Sequence, residues 1–187
     1  SEMASPRRRD LFKIVAGPAA VSGTALATPA KEPFRGVFTI PSTPFRQDGE
    51  IDIPSFRRLV DFCVACGAHG LVFPVNASEW SALSDDERIR LDQVLVEQNA
   101  GRLPVVIGVN ASTEENAARF AAHSKAIGAD AVIAMPPRGV ESEEIILRFY
   151  RRISKAGRLP VFLQDHDPPV GAYAEGQWSH GRPYRHG

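Results

Sequence analysis

Few side chains in this 187-residue sequence stand where they could do chemistry. Asp165-His166-Asp167 follows a short apolar run and alternates carboxylates with an imidazole, a donor set able to hold a metal ion. The plainer reading is loop structure ahead of Pro168-Pro169, and it is the preferred one. Cys63-Val64-Ala65-Cys66 has redox or zinc spacing, but it falls at the end of a helical pattern. A reactive thiol needs a helix N-terminus, and zinc needs a second pair of ligands, so core packing is expected for both cysteines. Glu79 closes a buried run and opens a loop, where a carboxylate serves either as a site group or as an anchor for loop N–H groups. Thr43 and Asn76 follow apolar runs and are neutral hydrogen bonders, suited to touching a ligand. Arg138 is placed to meet a carboxylate bidentately or to lie solvated in its loop. His69 and His123 read as ordinary half-buried or surface residues.

The elements that must position these residues are legible as a repeat. Near-continuous apolar runs occur at Gly36–Ile40, Gly70–Val75, Pro104–Val109, Ala131–Met135 and Pro160–Leu163. Runs apolar at every position, without alternation, are how parallel strands buried on both faces read. Amphipathic stretches lie between them. Phe56, Leu59, Val60, Phe62 and Cys63 form one stripe. Ser84-Asp85-Asp86-Glu87 is a capping box with Ile89, Leu91, Val94 and Leu95 behind it. Thr113–Ile127 and Ser142–Ile153 repeat the scheme. Gly101-Arg102-Leu103-Pro104-Val105 returns as Gly157-Arg158-Leu159-Pro160-Val161, and Gly67-Ala68 matches Gly128-Ala129. Each of these glycines is expected to end a helix and hand the chain to a strand. The period of roughly 30 residues is the size of one βα unit. No G-x-G-x-x-G follows the first strand, which disfavours an open dinucleotide-binding sheet and favours an incomplete (β/α)8 barrel of four units and a fifth strand.

Composition narrows the function classes. Lys+Arg and Asp+Glu both number 22, so the chain lacks the basic surplus with which proteins neutralise nucleic-acid phosphates. Two cysteines cannot build a disulfide scaffold, and no apolar run reaches the ~18 residues of a bilayer span. With 43% hydrophobic and 24% charged residues, the chain reads as an ordinary globular α/β protein.

The ends read differently. Residues 1–33 open with Arg8-Arg9-Asp10-Leu11-Phe12-Lys13, continue through a weakly apolar run and reach Ala25-Leu26-Ala27. This resembles a twin-arginine signal and linker, implying periplasmic export; the alternative is a disordered basic arm on a cytoplasmic protein. Residues 34–171 form the barrel-like domain. Residues 172–187 fit no helix or strand template and read as an irregular, non-native tail.

Several phrases resemble the dihydrodipicolinate synthase/N-acetylneuraminate lyase family of class I aldolases. They are Gly36-Val37-Phe38-Thr39 through Thr43-Pro44-Phe45, Asp48-Gly49-Glu50-Ile51-Asp52, Arg58-Leu59-Val60-Asp61-Phe62 with Gly67-Ala68-His69-Gly70-Leu71, Ser78-Glu79 with Leu83-Ser84-Asp85-Asp86-Glu87-Arg88, and Gly128-Ala129-Asp130-Ala131-Val132 through Pro136-Pro137. The resemblance implies a carbon–carbon lyase that binds pyruvate or another small 2-oxo acid as a Schiff base on a strand-six lysine, without metal or organic cofactor. It also implies a relay tyrosine on strand five and a Thr-Thr pair that binds the substrate carboxylate. By the same resemblance, Asn76-Ala77 stands at the Thr-Thr pair, Gln164 at the relay tyrosine, and Arg138 near the family's aromatic pair after strand four. Substrate contacts are therefore expected from Thr43, Asn76, Ala77 and Arg138, with no confident catalytic residue. The four lysines are Lys13, Lys31, Lys125 and Lys155, and none ends a strand. The chain is accordingly expected to be weakly active or inactive. The alternatives are a non-catalytic small-carboxylate-binding protein, a truncated relic, or a metal-assisted lyase using Asp165, His166 and Asp167. Unpaired outer strands leave room for a homo-oligomer.

Overall fold

In the computed structural model of the chain, residues 34–137, 140 and 142–164 are described. The expected export signal (1–33), the expected tail (172–187), Arg138 and the Asp165-His166-Asp167 triplet lie outside the described residues. The described part runs β1 (Phe38–Thr39), α1 (Ile53–Ala65), β2 (Gly70–Phe73), α2 (Asp85–Asn99), β3 (Val105–Gly108), α3 (Glu114–Ile127), β4 (Ala131–Ala134), α4 (Glu143–Gly157) and β5 (Val161–Leu163).

All five strands are parallel and lie in the order β1-β2-β3-β4-β5. A doubly wound sheet reverses its order at a switch point, whereas a barrel adds each strand beside the last. The helices also follow one another, α1 against α2, α2 against α3 and α3 against α4. One cluster between helices and sheet takes Leu71 and Phe73 from β2, Val105 and Ile107 from β3, and Val132 and Ala134 from β4. It joins them to Phe56, Val60, Leu91, Leu95, Phe120, Phe149 and Ile153. Each side chain of this size buried outright contributes about 1.5–3 kcal/mol. The alternate residues Val72, Val106, Ala131, Ile133 and Phe162 stand outside that cluster, on the other face, which is the inner face of the barrel.

Local signals account for the element ends. Asp52 caps α1 by accepting from Ser55 N at 3.0 Å. Ser84 and Glu87 form the expected capping box, and Thr113 caps α3 through Asn116 N. Gly67 and Gly128 take the left-handed backbone at φ +78° and +88°, as expected for helix-ending glycines. The repeated Gly-Arg-Leu-Pro-Val phrase behaves differently in its two copies. Ala100 is the left-handed cap of α2, one residue before Gly101, while α4 runs through Gly157 and caps at Arg158. Gly157 answers to packing instead: a Cβ there would lie 3.1 Å from Ala121 O, so its absence lets α4 approach α3. The cysteine expectation needs a second correction. Cys63 is in the core, but Cys66 is the exposed C-cap of α1, one turn past the buried stripe.

Candidate functional site

The C-terminal ends of barrel strands form a mouth, and here the register decides which side chains share it. The pairs Phe73↔Ile107, Gly108↔Ile133 and Ala134↔Leu163 set the alignment of β2 to β5. Carried on past the strand ends, the register brings Asn76, Asn110, Met135 and Gln164 into one row. Individual bonds support that row. Asn110 Oδ1 accepts from Met135 N at 2.7 Å, and Asn76 Nδ2 lies 3.7 Å from Met135 Sδ. Gln164 N donates to Ala134 O at 2.9 Å, and Val109 N to Ile133 O at the same distance. Beneath the row lie Pro74, Gly108, Ile133 and Phe162. Gly108 is required there, because a Cβ would come within 1.8 Å of Pro74 O. The inner face is thus apolar below and neutral-polar at the rim.

The loop after β2 is built from two single 3₁₀ turns, Asn76–Ser78 and Trp80–Ala82, hinged at Glu79. Glu79 has φ +58° and ψ +40°, a left-handed conformation uncommon outside glycine, asparagine and aspartate. Its backbone secures the loop: Glu79 N donates to Asn76 O, and Ala82 N donates to Glu79 O. Glu79 thus serves the loop through its backbone and not, as expected, through a carboxylate that anchors loop N–H groups. Ser78, not singled out from sequence, is fully buried and donates to Pro41 O at 2.9 Å. Thr43 is buried too, and its hydroxyl donates to Ser78 O at 2.7 Å. Thr43 thereby ties the loops after β1 and β2, and with its proton committed it can meet a ligand only as an acceptor. Asn76 and Ala77 are exposed at the mouth, with Asn76 Oδ1 accepting from Trp80 Nε1 at 3.0 Å.

Behind the row lies a charge that an apolar stripe does not advertise. Arg88, on the core face of α2, is 2% exposed. Its guanidinium donates to Asn110 O at 2.6 Å and Gly108 O at 3.0 Å. It also sits 4.0 Å from the Phe120 ring centre and 5.2 Å from that of Trp80. One side chain therefore braces both neighbours of the row, Asn110 through its carbonyl and Asn76 through Trp80. Asp92, one turn along α2, is fully buried, and neither carboxyl oxygen has a hydrogen-bond partner. Burial pushes its carboxyl well above the usual range, opposed by the nearby Arg88. Burial also lowers the Arg88 guanidinium, with Asp92 and then Asp85 opposing. A guanidinium does not deprotonate in proteins, so Arg88 keeps its charge and Asp92 is the member of the pair whose protonated form burial favours.

Two atoms of the row are left without partners: Asn110 Nδ2, on a residue 4% exposed, and Gln164 Oε1 on a half-buried one. Asn110 was missed because nothing in its own sequence marks it; its likeness to Asn76 is positional, both falling just past a strand end in register. His69 lies away from the mouth, its Nδ1 accepting from Val37 N at 3.0 Å, and His123 Nε2 is 3.3 Å from Ile89 O. Lys125 and Lys155 fall in the last turns of α3 and α4. Among the described residues no group of three His, Cys, Asp or Glu is placed to hold a metal, and no helix is long and apolar enough to cross a membrane.

Comparison with known proteins gives this geometry a context. The sequence matches the profile of the Dihydrodipicolinate synthetase family over residues 33–171. It is 36% identical over 135 residues to the L-2-keto-3-deoxyarabonate dehydratase of Azospirillum brasilense, covering 70% of this chain and 44% of that protein. It is 34% identical over 123 residues to the 4-hydroxy-tetrahydrodipicolinate synthase of Methylococcus capsulatus, covering 65% and 42%. A prophage protein of the dihydrodipicolinic acid synthase family from E. coli K12, solved in complex with pyruvate, superposes with a TM-score of 0.70 at 27% identity, covering 74% of this chain and 46% of that one. The dihydrodipicolinate synthase from Bacillus clausii superposes at 0.67 with 31% identity and the same coverage. The five parallel strands are thus part of a (β/α)8 barrel, and the chain spans about half the length of the curated relatives it matches.

Proposed function

The chain belongs to the dihydrodipicolinate synthetase family, and from that premise we propose that the mouth of its barrel strands binds a small, pyruvate-type 2-oxo acid. The observation that carries this reading is the neutral hydrogen-bonding rim of Asn76, Asn110 and Gln164 above an apolar floor. Such a rim orients a polar ligand, while the floor accommodates its carbon chain. Pyruvate in the E. coli relative, and the keto acid in the name of the Azospirillum one, support the same ligand class. The activity proposed for the whole protein is aldolase-type lyase chemistry: a lysine amine attacks the keto carbon, and the resulting iminium stores the electrons of the bond that breaks or forms.

The alternative is that this chain binds without turnover. It is favoured by Lys125 and Lys155 lying on helices, and by Asn76-Ala77, which offer one amide where the family resemblance implies two hydroxyls. Gln164, whose amide neither takes up nor releases a proton near neutral pH, points the same way. Borohydride reduction in the presence of pyruvate distinguishes the two. A stable mass adduct on a lysine refutes the non-catalytic reading, and its absence together with a pyruvate-dependent chemical-shift change supports it. No binding of pyruvate by either measurement overturns both. Twin-arginine export is a separate part of the proposal, tested by whether residues 1–33 carry a folded reporter to the periplasm.

A further inference from the structure

A side-chain amide can turn either its oxygen or its nitrogen to a ligand, and its neighbours decide which. Asn76 is exposed at the mouth, where a bound molecule can reach it, so the choice decides what this point of the rim recognises. The indole Nε1–H of Trp80 is a donor and nothing else. The Asn76 atom that meets it therefore has to be the oxygen, and Oδ1 accepts from it at 3.0 Å. Asn76 Nδ2 is thereby turned along the row, where it lies 3.7 Å from Met135 Sδ. A thioether is a weak acceptor, so this donor stays available to a better one.

The indole is itself held in place. The left-handed turn at Glu79 folds the loop back, so that Trp80 comes to lie against the side chain four residues before it. Its carbonyl accepts from Leu83 N at 3.3 Å. Its ring lies over the guanidinium of Arg88, 5.2 Å from ring centre to carbon, and Arg88 is fixed by the carbonyls of Asn110 and Gly108. An indole secured on a buried cation orients the amide before a ligand arrives, which saves the cost of ordering it on binding.

We infer that Trp80 is a positioning residue of the mouth: it engages the Asn76 oxygen and leaves the NH2 presented, so that this point of the rim recognises an acceptor oxygen and not a donor. This rests on the reading of the mouth as a 2-oxo acid site and adds the residue that sets the polarity of one contact. The effect of Trp80 on a ligand passes through Asn76.

The test is a double-mutant cycle of Trp80→Phe and Asn76→Ala on the full 187-residue chain. Pyruvate affinity is read by titration calorimetry, and circular dichroism verifies that each variant is folded. Phenylalanine keeps a ring over Arg88 and removes the indole N–H. Trp80→Phe is expected to weaken pyruvate about three- to tenfold, the usual worth of one hydrogen bond. In the Asn76→Ala background the same change is expected to have no effect, because the group through which it acts is gone. Asn76→Asp, whose carboxylate still accepts from the indole but offers no donor, is expected to weaken pyruvate at least as much as Asn76→Ala. Where the alanine variant binds too weakly to measure, the Asn76 side-chain NH2 resonances, assigned by their loss in Asn76→Ala, give the readout. They are expected to shift at saturating pyruvate in the parent and to shift less in Trp80→Phe, and equal shifts overturn the role. Affinity unchanged in Trp80→Phe, or lowered equally in both backgrounds, overturns it too, while leaving the 2-oxo acid reading intact. So does an Asn76→Asp chain that binds as tightly as the parent. A parent chain that binds no pyruvate overturns both.

Discussion

Replacing Arg88 by methionine should be among the most damaging single substitutions in the barrel segment, although its side chain is buried behind the row at the mouth. The guanidinium supplies charge-assisted bonds to Asn110 O at 2.6 Å and Gly108 O at 3.0 Å. Each such bond is worth about 1.5–3 kcal/mol, and the carbonyls lose their partner in a site closed to water. Methionine restores apolar volume between Phe120 and Trp80, which offsets part of the loss. The net cost is about 3–5 kcal/mol, the range for breaking a buried polar pair from one side. Urea denaturation followed by circular dichroism measures it. The double variant Arg88→Met/Asp92→Leu should recover at least ~1 kcal/mol relative to the sum of the single changes, because the two residues share one buried environment. A loss below ~1 kcal/mol for Arg88→Met would refute the reasoning, since it would mean that the two carbonyls find other partners at no cost. Additivity in the double variant would refute the coupling.

Three further outcomes follow from other features. Burial raises the Asp92 carboxyl in the folded chain, so the folded state holds its proton more tightly than the unfolded one. Stability from this group is full below the ordinary aspartate value of about 3.9 and falls as pH climbs through the raised folded value. Asp92→Asn should flatten that decline in denaturation curves recorded from pH 4 upward, and an unchanged slope would show that Asp92 is ionised when folded. Gly108→Ala should destabilise by at least about 3 kcal/mol, since its Cβ would meet the backbone at Pro74 O and not a movable side chain; a thermal melt within 2 °C of the parent would contradict the close approach of β2 and β3. Ser84→Ala should cost about 1 kcal/mol by opening the capping box of α2. In the parent, the Ser84 backbone N–H and then its hydroxyl hold the Glu87 carboxyl below its usual range. That contribution is present above the unfolded value and lost as pH falls through the folded one, so the difference between parent and Ser84→Ala should shrink in acid.

What could be read in advance was whatever depends on local pattern. The central strands β2, β3 and β4 are near-continuous apolar runs because both of their faces are covered, and Val105–Gly108 sits inside the run that marks it. The α2 start is stated outright by Ser84 and Glu87. The site was less legible, for a physical reason: its members come from separate units and meet only through strand register. Asn76 stood out because the resemblance pointed to its loop, whereas Asn110 occupies the matching place in the next unit with no motif to mark it. Arg88 and Asp92 occupy the stripe of α2 that also carries Leu91 and Leu95, and sequence charge alone assigns such residues to solvent. Only the open carbonyls at the end of β3 explain a buried guanidinium there. Cys66 and Gly157 show the same limit on a smaller scale, since one residue of helix length moves a side chain from core to surface or turns a helix terminator into a packing contact.

The strictly sequential strand order has a consequence for how the chain is made. Synthesis delivers residues from the N-terminus, and every strand after β1 pairs with the one immediately before it. No strand need wait for a partner that the ribosome has yet to release, so assembly can keep pace with translation one βα unit at a time. The exception is an aromatic contact across the inner face: Phe34 stands edge-on to Phe162, ring centres 5.2 Å apart, joining the first described residue to β5. That contact cannot form until nearly the whole described segment has emerged. Its appearance would mark the moment at which β5 has joined the growing stack of units, with Phe34 held against it.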